Sequence, residues 1–248
     1  MRAIYILWLR QLKRYFRSKS RIIGSLGQPL LFLVALGFGF GPIYQKAGAG
    51  DYMSFLAPGV IAMSVLFSAT FFGIELIWDR QFGFLKETLV APVSRLSIMI
   101  GRTLGGATVS VLQGIIVLGL TLLVGFRPHN LIELPVMLLF LIFIALIFTA
   151  LGTAIASFLE DMHGFQLIMN FLIMPTFFLS GALFPLNAAP RALSIIAQFN
   201  PLTYGVDGLR LSLTGIGQFT MSHDIVILTG VTLVIFAIGS YLFNKIQA

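Results

Sequence analysis

The chain has no cysteine and very little charge: of its 248 residues only 10% are Asp, Glu, Lys or Arg. Without thiols there is no disulfide framework, no cysteine nucleophile and no Cys-based zinc site. The shortage of charge, together with 58% hydrophobic residues and a mean hydropathy of +0.97, excludes an ordinary soluble domain. Catalytic motifs are missing as well. No G-x-x-x-x-G-K-[ST] occurs, so the chain has no P-loop to cradle a nucleotide and cannot power itself with ATP. The run GFGFG at residues 37–41 lacks the spacing and the strand–turn–helix setting of a dinucleotide fingerprint, and reads as helix packing. His129, His163 and His223 all fall in connections, and neither H-E-x-x-H nor G-x-S-x-G is present. No catalytic residue, metal ligand or cofactor is assigned to this chain. The net charge of +7 is confined to short segments flanking apolar runs, so it argues for topology signals and against a nucleic-acid partner.

Apolar runs of membrane-crossing length dominate what is present. A spanning helix needs about 20 mostly apolar residues, and residues 22–44, 55–78, 103–126, 134–159, 165–184 and 225–243 meet that length. They lack the alternation of barrel strands, and a lone span in lipid satisfies its backbone only as a helix. The sequence therefore predicts an all-α membrane protein with a single transmembrane domain at residues 1–248 and a six-span bundle at residues 22–243. A further apolar stretch at 192–199 is short and bounded by Pro190 and Pro201, which suits a re-entrant or interfacial helix.

Charge sets the orientation. Arg2, Arg10, Lys13, Arg14, Arg17, Lys19, Arg21, Arg80, Lys86, Arg95, Arg102 and Lys245 collect on one side of these spans, and only Lys46, Arg127, Arg191 and Arg210 on the other. Both termini are expected in the cytoplasm. Residues 1–21 read as an amphipathic helix in the cytoplasmic headgroup layer. Ile4, Tyr5, Trp8, Leu9, Leu12, Tyr15 and Phe16 share one arc, opposite Arg10, Lys13, Arg14 and Arg17. A secretory signal peptide is the weaker reading, because the apolar run after Arg21 exceeds the usual core length and the basic segment is itself amphipathic.

The longest charged interruption, IWDRQFGFLKETLVAPVSR at residues 77–95, carries a stripe of large apolar residues. Trp78, Phe82, Leu85 and Leu89 recur at helical spacing before Pro92, with Arg80 and Glu87 opposite. This pattern suits equally a helix resting on lipid and a helix docked on a cytosolic partner. Two polar stripes lie in the spans: Ser64, Ser68, Phe71 and Glu75 in the second, and Gln166, Asn170, Phe177 and Gly181 in the fifth. Each suits a substrate path or ordinary interhelical packing. Gly101 with Gly105, and the run Thr149, Gly152, Thr153, Ala156, have the small-residue spacing of close helix approach. Glu75 is the one ionisable residue placed within a span, near its cytoplasmic end, which gives proton or sodium coupling little support.

The segment LAPGVIAMSVLFSATFFGIELIWDRQFGFLKETLVAPVSRLSIMIGRTL at residues 56–104, followed by PTFFLSGALFPLNAAPRALSIIAQFNPLTYGVDGLR at 175–210, resembles the type-two permeases of ATP-binding cassette exporters. The most specific pieces are LVAPVSR, LSGALFPL and NPLTYGVDGLR; Gln81 departs from the pattern, which has an acidic residue nearby. The resemblance implies a six-span permease that pairs with a second copy in the cell (inner or plasma) membrane. It would be driven by a cytosolic ATPase subunit holding ATP and magnesium. Residues 79–92 would be the coupling helix, with Trp78, Asp79, Arg80, Phe82, Leu85, Lys86, Glu87 and Leu89 as the contact set. Residues 185–210 would form an outer re-entrant segment. Ser64, Ser68, Phe71 and Glu75, with Gln166, Asn170 and Phe177, would line the path of an amphipathic or lipid-linked cargo such as a drug, lipid or glycan. A non-transporting anchor that recruits an ATPase, and an ion-coupled transporter, are the alternatives.

Overall fold

In the computed structural model, which describes residues 2–48, 50–159 and 161–244, every regular element among those residues is helical. Helix α1 spans Arg2–Arg17, α2 Lys19–Lys46, α3 Tyr52–Phe71, α4 Ile74–Gln81, α5 Phe84–Val90 and α6 Arg95–Val124. They are followed by α7 at Leu134–Phe158, α8 at Met162–Phe178, α9 at Arg191–Gln198, α10 at Pro201–Thr214 and α11 at Met221–Asn244. Polar residues punctuate the apolar runs where helices begin. Asp51, Ser94, Asp161 and Asn200 each accept a hydrogen bond from an otherwise unpaired N–H in the first turn of α3, α6, α8 and α10.

Helix α3 is the central column, buried along most of its length and packed against α2, α6, α7, α8 and α10. Its approach to α7 depends on glycine. A methyl group at Gly152 would run into the Thr70 carbonyl, and one at Gly73 into the Gly152 carbonyl. Thr149, Gly152, Thr153 and Ala156 all lie buried at or near this crossing. The second glycine pair serves a different neighbour: Gly101 and Gly105 of α6 leave room for Ile4, Leu7 and Gln11 of α1.

Among the described residues five helical stretches are long and apolar enough to cross a bilayer: Lys19–Lys46, Tyr52–Gln81, Arg95–Val124, Leu131–Phe158 and Met221–Phe243. Large apolar side chains on α2 and α11, such as Leu31, Phe38 and Leu233, point away from the bundle. That arrangement suits a hydrocarbon solvent. The expected fifth span is shorter than residues 165–184. Helix α8 stops at Phe178, because the chain turns through Gly181, whose φ of +74° is costly for any residue with a side chain.

Other expectations shift too. Of the glycines in GFGFG, Gly37 faces Met53, while Gly39 and Gly41 open outward. The buried face of α1 is Leu7, Gln11 and Tyr15, whereas Tyr5 and Phe16 from the expected apolar arc are exposed. The segment at 185–210 is built largely as two helices. Short α9 is followed by α10, which runs on to Thr214 and is buried between α3, α7 and α11.

Candidate functional site

The charged interruption is built as two helices. Gly83, at φ +79°, breaks residues 79–92 into the end of α4 and a separate α5, so the apolar stripe does not stay on one face. Phe82 is 83% exposed, whereas Leu85 is fully buried. The side chain of Leu89 lies outside the described residues. Lys86 and Glu87 are exposed on α5.

The root of the interruption is keyed into the bundle. Asp79, only 5% exposed, accepts two hydrogen bonds from Arg10 at 3.0 and 3.3 Å and stands 2.7 Å from Arg102 Nη1 without hydrogen-bond alignment. One carboxylate thus ties α4 to both α1 and α6. One turn earlier Glu75 is paired with Arg21 at 2.6 Å and, more loosely, Arg14 at 3.6 Å. Arg80 donates to the carbonyls of Leu159 and Ser157 at 2.9 and 3.2 Å, where the carbonyl end of α7 is negative. Trp78 Nε1 donates to the Met162 sulfur at 2.7 Å. Arg10 also lies over the Phe84 ring, 3.7 Å from its centroid. Asp79, Arg80 and Trp78 therefore bind within the chain, and the outward-facing members of the expected contact set are Phe82, Lys86 and Glu87.

The first polar stripe opens on a cavity of about 250 Å³ between α2, α3 and α6, lined by Ser64, Ser68 and Phe71 with Ser25, Gln28, Arg21 and Gln113. Ser110 donates to Ser68 at 3.1 Å. Tyr15 donates to Gln113 Oε1 at 2.9 Å, and burial raises this phenol's pKa, which keeps it a donor. The Gln113 amide nitrogen has no hydrogen-bond partner among the described residues. A second cavity of about 650 Å³, bounded by Arg14, Glu75, Trp78 and Met162, shares Arg21 and Phe71 with the first. The two adjoin at Arg21 and Phe71 to make a slot with polar groups in its wall near the end that holds α1.

The second stripe does not join it. Gln166 and Asn170 are exposed on the outer side of α8, while Phe177 is buried against Phe32 and Phe67. A spacing of four residues, Phe165, Met169, Ile173 and Phe177, marks the face of α8 buried within the chain. Among the lining residues that sequence reasoning missed are Arg21, Ser25, Gln28 and Gln113. Gln113 carried a signal, since an amide deep in an apolar run is costly in lipid unless it faces a polar interior.

These features define a polytopic helical membrane protein with a polar slot and a charged, internally keyed tip at one end. The chain belongs to the ABC-2 type transporter family, whose model matches residues 2–214. It is 31% identical to the putative transport permease ycf38 of Pyropia yezoensis over 216 residues, 85% of this chain and 73% of that one. It is 29% identical to Nodulation protein J of Rhizobium leguminosarum bv. trifolii over 218 residues, 86% and 79% of the two chains. Inner membrane transport permease YadH of Escherichia coli (strain K12) matches over 248 residues at 26% identity, 97% of this chain and 92% of that one. The protein is thus the membrane permease subunit of an ABC-2 type transporter and not its catalyst; permeases of this class work with ATPase subunits.

Proposed function

We propose that this permease exports an amphipathic or lipid-linked molecule across the cell (inner or plasma) membrane, as a homodimer driven by a cytosolic ATPase that holds the ATP and magnesium. In this reading α8 completes a six-span bundle, both termini are cytoplasmic, and α9 with α10 form the outer re-entrant pair. The slot lined by Ser64, Ser68, Phe71 and Glu75 admits cargo from the cytoplasmic side. Its mixture of hydroxyl, amide and aromatic groups suits a molecule with a polar head and an apolar body.

The observation that carries the reading is the contrast within the interruption. A large aromatic, Phe82, stands 83% exposed at the tip, while the residues just before it are tied to α1, α6, α7 and α8. An exposed aromatic beside charged Lys86 and Glu87 is the composition of an interface anchor with a polar rim. A push there reaches four helices through short ion pairs and hydrogen bonds, so the segment acts as a lever.

The test is co-purification. Losing an aromatic anchor commonly costs about 2 kcal/mol or more, roughly a thirty-fold loss in affinity. Phe82→Asp should therefore abolish recovery of the ATPase, with permease dimer matched by size-exclusion chromatography. Glu87→Lys should weaken recovery in a salt-dependent way. If the Phe82→Asp permease retains its ATPase as well as wild type does, the segment merely rests on lipid and the coupling assignment fails.

A further inference from the structure

At the end of the bundle opposite α1, a cavity of about 440 Å³ opens between α2, α3, α10 and the connection joining α6 to α7. Its lining carries two arginines, Arg127 from the connection and Arg210 from α10, with His129 beside them, against one acid, Asp51. The His129 backbone N–H donates to the Leu213 carbonyl at 2.8 Å, which pins the connection to α10.

Arg210 is the unusual member. It is only 6% exposed, yet among the described residues no carboxylate lies within ion-pair distance of it. One Nη2 hydrogen bond goes to the Gly181 carbonyl at 2.9 Å, and its guanidinium carbon lies 4.0 Å from the Phe55 ring centroid. Its Nε has no partner. Burial lowers its pKa to about 10, partly opposed by Asp207, so it remains a cation at neutral pH.

Both nearby acids are committed elsewhere. Asp51 accepts the Met53 and Ser54 N–H groups and the Ser54 hydroxyl at the start of α3. Asp207 accepts the backbone N–H groups of Gln218 and Phe219. Burying a charge without a counter-charge is unfavourable. The cavity wall therefore holds a buried cation with no carboxylate within ion-pair distance among the described residues.

We propose that this cavity binds an oxyanion group, phosphate, sulfate or carboxylate, with Arg210 as the buried anchor and Arg127 and His129 closing over it at the mouth. A guanidinium presents several donors in one plane and matches such groups. Tyr44 and Phe55 provide an apolar wall for whatever carries the anion. Two sources share this chemistry: an acidic group on a molecule leaving through the transporter, and a phospholipid headgroup of the adjoining leaflet. That the site lies on the outer side rests on the proposed orientation, whereas the binding does not, so the experiment reads binding alone.

Full-length permease in phosphatidylcholine nanodiscs is titrated with sodium phosphate at fixed ionic strength while its thermal midpoint is followed. In a second arm, phosphatidylglycerol is added to the nanodiscs and lipids retained by the permease are counted by native mass spectrometry. Wild type is compared with Arg127→Gln/His129→Gln, which alters only exposed positions, and with Arg210→Gln. A saturable rise in midpoint, with the phosphate requirement raised roughly ten-fold in the double variant, supports a site for a free anionic group. Retention of phosphatidylglycerol that the double variant loses, with no response to phosphate, supports the headgroup. Identical behaviour of wild type and the double variant in both arms overturns the proposal, whatever Arg210→Gln does to folding.

Discussion

Asp79 carries one negative charge and faces two guanidinium groups, and their exposures differ sharply: the Arg102 side chain is 3% exposed, that of Arg10 29%. The difference decides which substitution matters. Removing Asp79 leaves Arg102 buried without its ion-pair partner, a loss that costs about 3–5 kcal/mol. Removing Arg10 leaves Asp79 still compensated by Arg102, so the loss of this partly exposed partner is the smaller of the two. Asp79→Asn should therefore lower the thermal midpoint of the purified permease several-fold more than Arg10→Gln, as followed by heating and size-exclusion chromatography. Equal shifts would contradict the assignment of Arg102 as the partner that depends on Asp79. None of this pairing was legible beforehand. The sequence marked Asp79 and Arg80 as charges of the interruption, but a charge at the rim of a span looks the same whether it faces a partner protein or a helix of its own chain.

At the scale of elements, the glycine crossing of α3 and α7 is the joint on which the bundle closes. A Cβ at Gly152 has no room, because it meets the backbone of Thr70 and not the end of a flexible side chain. Overpacking such a contact costs about 1–3 kcal/mol and shifts backbone. Gly152→Leu should yield little monodisperse permease, whereas Gly24→Leu on α2, where a side chain meets open space, should leave yield unchanged. A fluorescent size-exclusion trace of each variant checks this, and similar profiles for both would remove the crossing from the account. The small-residue spacing at Thr149–Ala156 announced a close approach without naming the neighbour. Helix α10 was harder to read. Its 14 residues are too few to cross a bilayer, and the same apolar pattern fits a helix lying on the surface.

For the whole molecule, orientation governs every functional statement, because the segment proposed to meet a cytosolic ATPase can do so only if its end of the bundle faces the cytoplasm. The absence of cysteine makes the test direct, since an introduced thiol is the sole target. Gln198→Cys on α9 and His163→Cys on α8 occupy exposed positions assigned to opposite ends. In intact cells an impermeant maleimide should label the first and spare the second until the membrane is opened. The reverse pattern would invert the permease and withdraw the export reading with it. The polar slot would then open outward and the cavity at Arg210 would face the cytoplasm.

The sequence by itself determined that this chain is helical and lives in a membrane, because lipid offers no water to satisfy a backbone and long apolar runs leave the helix as the one solution. It also determined where helices start, since Asp51, Ser94, Asp161 and Asn200 act through groups two or three residues away. Only the tertiary structure decided which faces meet. Arg10 and Asp79 are 69 residues apart, and their pairing depends on the rotation of α1 about its own axis once Leu7, Gln11 and Tyr15 turn toward α6. The same freedom placed Phe177 inside and Asn170 outside. Helical spacing fixes which residues share a stripe, but the direction a stripe faces is set by packing against neighbours distant in sequence, and so by shape complementarity that no local pattern contains.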